Sequence, residues 1–532
     1  MQSRMTRPRF LGAATPAPPA ATPAPTKVAE KEIVEITWAV VENPAGLIKP
    51  DHAAHLAAGE ATRIRLRMLP VPKSDFEAKM NTWLATNTVP DIMEVWNPED
   101  VRYFAASALL PIMPLVDEYG PNLKRYLEAQ PELKRWTAEG IHYLVPKMWY
   151  NRRTLAPAPH FRTDWLDELG LPVPEDFDQL YEVLTELKKA HPDAYWTGRN
   201  GIHGKLIPLV SYAMGSGKGG WYVGRDSPYF DKDVDGGKWL YGPVQPEMKD
   251  VLAYLAKAYK EGILDPDVAS TTDAQWDELN RSDRGFFGYD NFMKLPRWIV
   301  ALREKNPKAT WAPVATFKGK RGRRQSDFNS FDGGLCLGAT SKHPDRAIEL
   351  LDWLITPIGL DTCNWGIEGV HYTLKEPRAA VIEDYTMEGV GKAMPTEGRE
   401  LKPEIFDKYT KLGGVGFGAD ICASLHNMVI LSAGSREELF QPTPGEADAW
   451  YEMSENDPGL HKPFLAPALT TEELERLKEP MTNVATIINP ALDKVVLGQI
   501  TLSDYDKAVE EAIKAGALEM EKIYNDAEAR MK

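Results

Sequence analysis

The sequence predicts an α/β protein with at least two lobes. Strands are predicted over residues 33–40, 64–68 and 93–96, and a helical stripe of apolar side chains lies between the second and third strands. This order of strand, helix and strand indicates a parallel βαβ unit. The chain has 532 residues, which exceeds the size at which a single hydrophobic core keeps growing. More than one core is therefore expected.

The composition is that of a globular protein with an acidic balance of charge. The formal net charge is -15 and the sequence pI is about 5.3, whereas a nucleic-acid-binding protein needs a basic footprint to neutralise phosphates. We therefore expect no nucleic-acid partner, and the charge slightly favours a neutral over a polyanionic ligand. One basic run, residues 318–324 (KGKRGRR), contains two glycines and predicts a solvated hairpin tip.

No metal, cofactor or catalytic motif is predicted. The three cysteines, Cys336, Cys363 and Cys422, are widely separated and lack metal-ligand spacing. Residues 231–236 (DKDVDG) open like a calcium loop, but Gly242 stands where a bidentate glutamate is required, so a charged hairpin is predicted instead. We predict a protein that uses no cofactor.

The first 31 residues predict a segment that does not join a core. Residues 13–25 contain only alanine, threonine and proline, a composition typical of the spacer between a membrane anchor and an exported domain. The residues before them have a basic start but no apolar stretch long enough for a secretory signal. We predict that residues 1–31 are a disordered tether or the remnant of a signal.

Residues 161–193 predict two helices joined by a fixed turn. Thr163 or Asp164 can cap the first helix, and Gly170 ends it. Acidic residues precede the second helix, where they favour its N-terminus. The two apolar stripes are predicted to be Trp165, Leu166 and Leu169, then Phe177, Leu180, Tyr181, Leu184 and Leu187.

Later segments predict further elements of both kinds. Residues 285–290 (GFFGYD) predict an apolar strand that ends on an aromatic residue and an acid, and residues 235–242 predict a hairpin. Helical spacing of apolar residues predicts helices over 248–259 and 347–354. A glycine-broken strand is predicted over residues 328–337.

Four motifs occur in the order that a known family shows. They are PDI at residues 90–92, GIHYLVP at 140–146, RTDWLDELGL at 162–171 and NWGIEGVHY at 364–372. With them the chain resembles the extracellular solute-binding proteins of bacterial ABC sugar importers, in the large lipoprotein-type branch that includes alginate-oligosaccharide binders. The resemblance extends from about residue 32 to residue 532 and is weakest over 377–484.

The resemblance implies a two-lobed, periplasmic-binding-protein-like α/β fold of type II, with discontinuous lobes joined by a hinge. It implies an N-lobe of residues 32–148 and 326–375, and a C-lobe of residues 149–325 and 376–532. It also implies a monomeric substrate-binding component of an ABC transporter, which captures an oligosaccharide between its lobes and delivers it to permease subunits in the membrane. The implied location is extracytoplasmic, as a cell-surface lipoprotein or in the periplasm.

Sugar binding sets the residue types to search for. A sugar ring needs flat apolar faces for its C–H side and fixed polar groups for its hydroxyls, and aromatic residues beside polar ones supply both. The chain has 15 tryptophans, several of them next to turns. The positions at which the family lines its cleft imply these substrate contacts: Asn43, Trp96, Trp149, Tyr150, Tyr289, Asp290, Trp365, Glu368 and His371.

Two other functions remain open from the sequence. Asp290 and Glu368 are paired-carboxylate candidates for a glycoside hydrolase, although no barrel repeat or nucleophile motif accompanies them. A peptide or another non-sugar solute is also compatible with the fold, because a fold does not determine its ligand. We predict a binding protein without catalytic residues.

Overall fold

The computed structural model describes residues 31–42, 47–49, 51–95, 105–149, 157–217, 227–291, 294–324, 331–375, 399–412, 417–422, 431–432 and 465–532. Within these ranges the strands are β1 (Val34–Glu42), β2 (Ile64–Pro72), β3 (Ile92–Val95), β4 (Leu144–Trp149), β5 (Pro157–Phe161), β6 (Tyr195–Thr197), β7 (Tyr229–Asp231), β8 (Lys238–Leu240), β9 (Gly285–Asn291), β10 (Ala312–Pro313), β11 (Lys318–Gly319), β12 (Gly322–Arg323), β13 (Phe331–Leu337), β14 (Tyr372–Leu374), β15 (Arg399–Leu401) and β16 (Leu431–Ser432).

The α-helices of the same ranges are α1 (Ala53–Thr62), α2 (Phe76–Ala85), α3 (Ala105–Ala108), α4 (Met113–Tyr119), α5 (Pro121–Glu128), α6 (Thr163–Leu169), α7 (Phe177–Ala190), α8 (Ile207–Met214), α9 (Met248–Lys260), α10 (Asp273–Arg281), α11 (Leu295–Arg303), α12 (Pro344–Leu354), α13 (Pro357–Trp365), α14 (Pro403–Lys411), α15 (Phe417–Cys422), α16 (Thr471–Val496), α17 (Leu502–Lys514) and α18 (Ala517–Met531). None of these helices is long and apolar enough to cross a membrane.

The N-lobe is built on a six-stranded sheet in the order β16-β4-β13-β3-β1-β2. Its strands are parallel except β13, which is antiparallel to both of its neighbours. The predicted parallel βαβ unit is confirmed by β2, α2 and β3. Separate clusters of apolar side chains cover the two faces of the sheet, as expected for parallel strands that are buried on both sides.

The C-lobe is built on a four-stranded sheet in the order β10-β5-β9-β6. β6 and β9 are parallel, and β5 is antiparallel to both β9 and β10. One face of this sheet packs against α7, α8, α9 and the C-terminal helices α16 to α18. The other face packs against α10 and α11.

The chain crosses between the two sheets at the carboxyl ends of β4 and β9. β4 ends at Trp149, and β5 begins at Pro157, which pairs with Asn291 at the carboxyl end of β9. β13 begins opposite Met148, at the carboxyl end of β4. The carboxyl ends of the parallel strands in both sheets therefore lie on the side where the lobes are joined. In open α/β sheets this is the edge at which ligands bind.

The hydrophobic cores separate the two lobes. The largest core combines residues from 161–317 with residues from 469–527, whereas the main N-lobe core combines 36–145 with 335–363. The short strand β16 pairs in the N-lobe sheet, although its residues lie in the range that the family resemblance implies for the C-lobe. The lobe boundaries stay a prediction. Residues 1–30 of the predicted tether lie outside the described part of the chain.

α6 and α7 confirm the predicted helix pair, but the predicted cap of α6 is wrong. α6 begins at Thr163, and its N-cap is Arg162, which makes no capping hydrogen bond through its side chain. The Asp164 carboxylate accepts instead from Nε of the buried Arg162 at 2.9 Å. Gly170 ends the helix in the left-handed conformation, with φ at 64°. Leu169 is exposed, so its predicted place in the buried stripe is also wrong.

Two predicted hairpins, β7–β8 and β11–β12, are confirmed and meet in space. Arg324 is fully buried and donates to the two carboxylate oxygens of Asp231 at 3.1 and 3.0 Å. Arg321 also pairs with Asp231, so the predicted solvated tip is wrong for these arginines. In the described ranges, no group of three His, Cys, Asp or Glu residues is placed to hold a metal ion.

Candidate functional site

The candidate ligand site lies between the carboxyl edges of the two sheets. On the N-lobe side this edge is formed by the ends of β1, β3 and β4, and on the C-lobe side by the ends of β6 and β9. Asn43, Trp96 and Tyr150 directly follow β1, β3 and β4 in sequence and lie outside the described residues. Trp149 ends β4, and only its position on the strand is described. These four contacts stay predictions.

Asp290, near the carboxyl end of β9, is the centre of a buried charged cluster. Its two carboxylate oxygens accept hydrogen bonds from Arg199, one from Nε at 2.8 Å and one from Nη2 at 2.9 Å. Lys205 Nζ lies 3.2 Å from Oδ1 of the same carboxylate. The three residues are 3%, 4% and 8% exposed, respectively. Because an isolated buried charge is costly, this close pairing is what makes the buried carboxylate tolerable.

An irregular backbone brings Lys205 to this carboxylate. After β6 the chain passes through Asn200, at φ 59°, and Gly201, at φ 85°. It then forms a π-helical turn, Ile202–Leu206. A positive φ is uncommon outside glycine, and π-helical turns are rare and frequent at functional sites. Both irregularities occur at the carboxyl edge of the sheet, where the fold favours ligand binding.

A second carboxylate and an aromatic ring complete the cluster. Arg199 Nη1 donates to Asp273 Oδ1 at 2.8 Å, and the guanidinium lies 4.5 Å from the ring centroid of Trp276. The ammonium of Lys294, which follows β9 in sequence, lies 4.8 Å from the same centroid. An aromatic face attracts cations at such distances. Trp276 therefore helps to hold two cations at the edge of the sheet.

Burial weakens proton binding by both lysines of the cluster. Burial lowers the pKa of Lys205 to about 7, although the charge of Asp290 opposes the change. Burial, together with the charges of Arg199 and Arg297, lowers the pKa of Lys294 to about 8. An additional negative charge near these lysines would favour their protonated forms.

Tyr289 precedes Asp290 on β9, so its side chain points to the opposite face of the sheet. Its hydroxyl forms a hydrogen bond with Thr316 Oγ1 at 2.7 Å, and the residue is 3% exposed. Burial raises the pKa of Tyr289 to about 12. The ring packs in the C-lobe core, and its predicted contact with a sugar stays a prediction.

Trp365, Glu368 and His371 lie together around the end of α13. Trp365 is buried, with its ring 6.3 Å from that of Tyr372. Glu368 is exposed in the turn after the helix. His371 Nδ1 accepts from the backbone N–H of Ile367 at 2.9 Å, and burial lowers the pKa of this histidine. Their contacts with a ligand stay predictions.

Comparison with known proteins identifies the family. The sequence profile described as bacterial extracellular solute-binding protein matches residues 52–359, more than half of the chain. The chain belongs to the bacterial extracellular solute-binding proteins. Membership in this family indicates an extracytoplasmic location, and it confirms the resemblance that the four motifs indicate.

Two curated relatives cover most of this solute-binding protein. Lipoprotein LipO of Bacillus subtilis (strain 168) is 24% identical over 476 residues, which are 86% of this chain and 84% of the relative. The polygalacturonan/rhamnogalacturonan-binding protein YtcQ of the same organism is also 24% identical over 476 residues, or 88% of this chain and 86% of the relative.

Solved structures of similar shape cover nearly all of the solute-binding protein. The alginate-binding protein AlgQ2 without calcium ion has a TM-score of 0.71 at 18% identity, over 94% of this chain and 98% of that chain. The Streptococcus pneumoniae substrate-binding protein FusA in complex with kestose has a TM-score of 0.66 at 15% identity, over 93% and 100%. The predicted two-lobed type II fold with discontinuous lobes is confirmed.

Asp290 is a residue that the sequence predicts for the site, whereas the charged and aromatic residues around it are not predicted. In the C-lobe these are Arg199, Lys205, Asp273, Trp276 and Lys294. In the N-lobe, Lys147 on β4 and Glu94 on β3 form a buried ion pair that was also missed. For Glu94 and Lys147 the available signal was a charged residue inside an otherwise apolar strand, because such residues are rarely buried without a partner. The C-lobe residues lie outside the strands and carry no such signal.

Proposed function

We propose that this solute-binding protein is the substrate-binding component of an ABC importer and captures an oligosaccharide between its lobes. The observation that carries the proposal is the cleft geometry, in which the carboxyl edges of both sheets lie on the side where the lobes join. Closure of two lobes around a ligand is a common hinge motion of such folds. The closed form would then be the one that the permease subunits bind.

Residue types along the cleft support a saccharide ligand. Asn43, Trp96, Trp149 and Tyr150 occur at the ends of N-lobe strands, and they combine flat aromatic faces with polar groups. The names of YtcQ, AlgQ2 and FusA refer to saccharides or to saccharide complexes. We propose these four residues, with the polar cluster around Asp290, as the main contacts.

The proposed function is binding without turnover. A glycosidase needs a carboxylic acid that can exchange a proton with the leaving group, whereas both oxygens of Asp290 accept hydrogen bonds from Arg199. Glu368, the other acid of the candidate pair, lies in an exposed turn. Incubation of a bound oligosaccharide for one day, followed by chromatography, tests this point, and the appearance of shorter products would show an enzyme.

The proposal includes partners and a location. The solute-binding protein acts as a monomer, at the cell surface as a lipoprotein or in the periplasm, and delivers its ligand to membrane permease subunits. The net charge of -15 supports a role without nucleic acid, since phosphate binding needs a basic surface.

A thermal-unfolding screen against oligosaccharides of graded length, with peptides as a parallel set, tests the proposal. A ligand at about a hundred times its Kd adds about 2.7 kcal/mol to the free energy of unfolding. The substitutions Trp96→Ala and Trp149→Ala should remove the stabilisation, while Trp83→Ala on α2, outside the cleft, should keep it. Stabilisation by peptides alone, or by neither class, would refute the saccharide proposal.

A further inference from the structure

Two histidines lie within electrostatic reach of each other on the N-lobe, next to the carboxyl end of β1. His52 is the N-cap of α1. It lies shortly after Ile48, whose backbone N–H donates to the carboxylate of Glu42, the last residue of β1, at 3.2 Å. His371 lies in the turn after α13, and the charge of His52 acts on its ring. Both histidines therefore lie beside the edge at which a ligand is expected.

The hydrogen bonds of both histidines fix the same neutral form. The backbone N–H of Ala54 donates to Nδ1 of His52 at 3.1 Å, and that of Ile367 donates to Nδ1 of His371 at 2.9 Å. A backbone N–H can only donate, so Nδ1 carries the lone pair in each ring and Nε2 carries the proton. In His52 this Nε2–H donates to the carbonyl oxygen of Asp420 at 2.7 Å.

The contact with Asp420 holds the ring of His52 in place. Asp420 lies on α15, and its carboxylate accepts from the hydroxyl of Tyr409 on α14 at 2.8 Å. These two helices pack with the end of α13 in an apolar cluster that is separate from the main N-lobe core. The turn after α13 joins the same elements, because the carbonyl of His371 accepts from the backbone N–H of Lys402 at 3.0 Å. The ring of His52 is therefore anchored on both sides, and the turn of His371 is anchored beside it.

Protonation of either ring breaks its bond with the backbone. A charged imidazole carries N–H groups at both nitrogens, so Nδ1 can no longer accept. At His52 the new charge would also lie at the N-terminus of α1, which carries a partial positive charge. Since its Nε2–H stays bonded to Asp420, the first turn of α1 has to move instead of the ring. A second charge on His371 would repel the first.

The charged surroundings do not reverse this effect. In the described elements around the two rings, the titratable and charged groups are Lys49, Asp51, His55, Glu368, Lys402, Asp420, Lys408 and Tyr409. The last two donate to the Asp420 carboxylate. Burial lowers the pKa of His371 from 6.5, and the charges of His52 and Lys402 lower it further. The contacts of neutral His371 are therefore complete above pH 6.5 and are lost as the pH falls towards the lowered pKa.

We propose that His52 and His371 form an acid-sensitive switch, which keeps the first turn of α1 and the turn after α13 closed at neutral pH and opens both in acid. This inference goes beyond the proposed function and is tested without a ligand. Opening would loosen the N-lobe wall of the cleft, because α1 begins beside the carboxyl end of β1. The switch therefore lets the surrounding pH act on the cleft.

Amide hydrogen exchange at pH 7.5 and pH 5, corrected for the intrinsic exchange rate and followed by NMR, measures the opening of each turn. The reporters are the amides of Ala54 and Ile367, which donate to the two rings. We expect opening at Ala54 to become about fivefold more frequent in acid, since the loss of a helix cap changes the equilibrium by about that factor. Opening at Ile367 should also increase, whereas the amides of β1, which report the whole lobe, should change less.

Asparagine variants locate the effect. In His52→Asn and His371→Asn the side-chain oxygen can replace Nδ1 as an acceptor and does not titrate. Each variant should therefore remove the acid response at its own reporter amide. His343→Asn is the matched control, because His343 is the N-cap of α12 and its side chain makes no capping hydrogen bond. This control should keep the wild-type response at both amides.

Three results would overturn the switch. The first is equal opening at both pH values in the wild-type protein, and the second is an acid response that both asparagine variants keep unchanged. The third is a proton on Nδ1 of either ring at pH 7.5, which the ¹⁵N spectrum of histidine-labelled protein reports. None of these measurements uses a ligand, so failure of the switch leaves the proposed function standing, and failure of saccharide binding leaves the switch standing.

Discussion

His160 should make the C-lobe sensitive to acid. It lies on β5 with no exposed surface, and Nδ1 donates to the carbonyl of Ala158 at 3.0 Å. The rings of Trp298 and Trp311 lie 5.7 and 5.6 Å away. Nε2 is buried and has no hydrogen-bond partner among the described residues, so protonation would leave a charged ring with an unpaired N–H. Replacement by phenylalanine keeps an aromatic ring and removes the titrating group.

The pKa of His160 gives the magnitude. Burial lowers it from 6.5 to about 4, and the remaining contributions come from Ala158, Asp290 and Arg199. Between pH 6.5 and pH 4 the unfolded chain binds more protons than the folded chain. The contribution of the neutral His160 to the free energy of unfolding is therefore fully present above pH 6.5 and is lost as the pH falls towards 4. The full loss is about 3 kcal/mol at 1.36 kcal/mol for each pH unit, and about 2 kcal/mol of it occurs between pH 7 and pH 5.

Urea unfolding at pH 7 and pH 5, followed by tryptophan fluorescence, measures this loss. The wild-type protein should lose about 2 kcal/mol more than His160→Phe between these pH values. Leu255→Ala on α9 is the control, because it weakens the core on the opposite face of the C-lobe sheet and leaves the Trp298 and Trp311 cluster in place, so its cost should be equal at both pH values. Parallel losses in the wild-type protein and in His160→Phe would refute the reasoning.

Three further predictions concern stability and are measured by urea unfolding at pH 7. Glu528→Gln should lower the free energy of unfolding by about 3 to 5 kcal/mol, because the buried Arg135 loses the carboxylate on α18 to which it donates two hydrogen bonds. A smaller loss in the double variant with Arg135→Met would identify the uncompensated charge as the cause. An equal loss in the double variant would exclude that cause. Asp176→Ala should cost about 1 kcal/mol through loss of the α7 cap, and Asp176→Asn should cost less; equal costs would contradict the cap. Gly242→Ala should destabilise the C-lobe severely, because the added Cβ would lie 1.5 Å from the Gly217 carbonyl oxygen. A variant as stable as the wild-type protein would show that the segments around Gly217 and Gly242 can move apart at no cost.

Local patterns in the sequence predicted the helix pair well because the causes are local. The left-handed conformation of Gly170 and the apolar stripe of α7 follow from neighbouring residues. The predicted cap of α6 does not form, because the carboxylate of Asp164 accepts hydrogen bonds from Arg162 instead. The same guanidinium also pairs with Asp283, which is far away in sequence. A competition between a local cap and a distant ion pair cannot be read from local spacing.

The basic run shows the same limit. Its two glycines correctly predicted the β11–β12 hairpin. Its arginines were expected to be solvated, because short charge runs usually are. Arg321 and Arg324 instead meet Asp231, about ninety positions earlier in the chain. The two hairpins meet only in the folded protein. The carboxylate of Asp231 there offsets the charges of the arginines and so permits their burial.

The candidate site depends even more on distant contacts. The cluster around Asp290 is assembled from the loop after β6, the π-helical turn, the start of α10 and the residues after β9. None of these segments has an unusual charge of its own, so a count along the sequence reports only the total of -15. Total charge governs solubility and long-range attraction, whereas recognition depends on the few charges within a Debye length of the ligand.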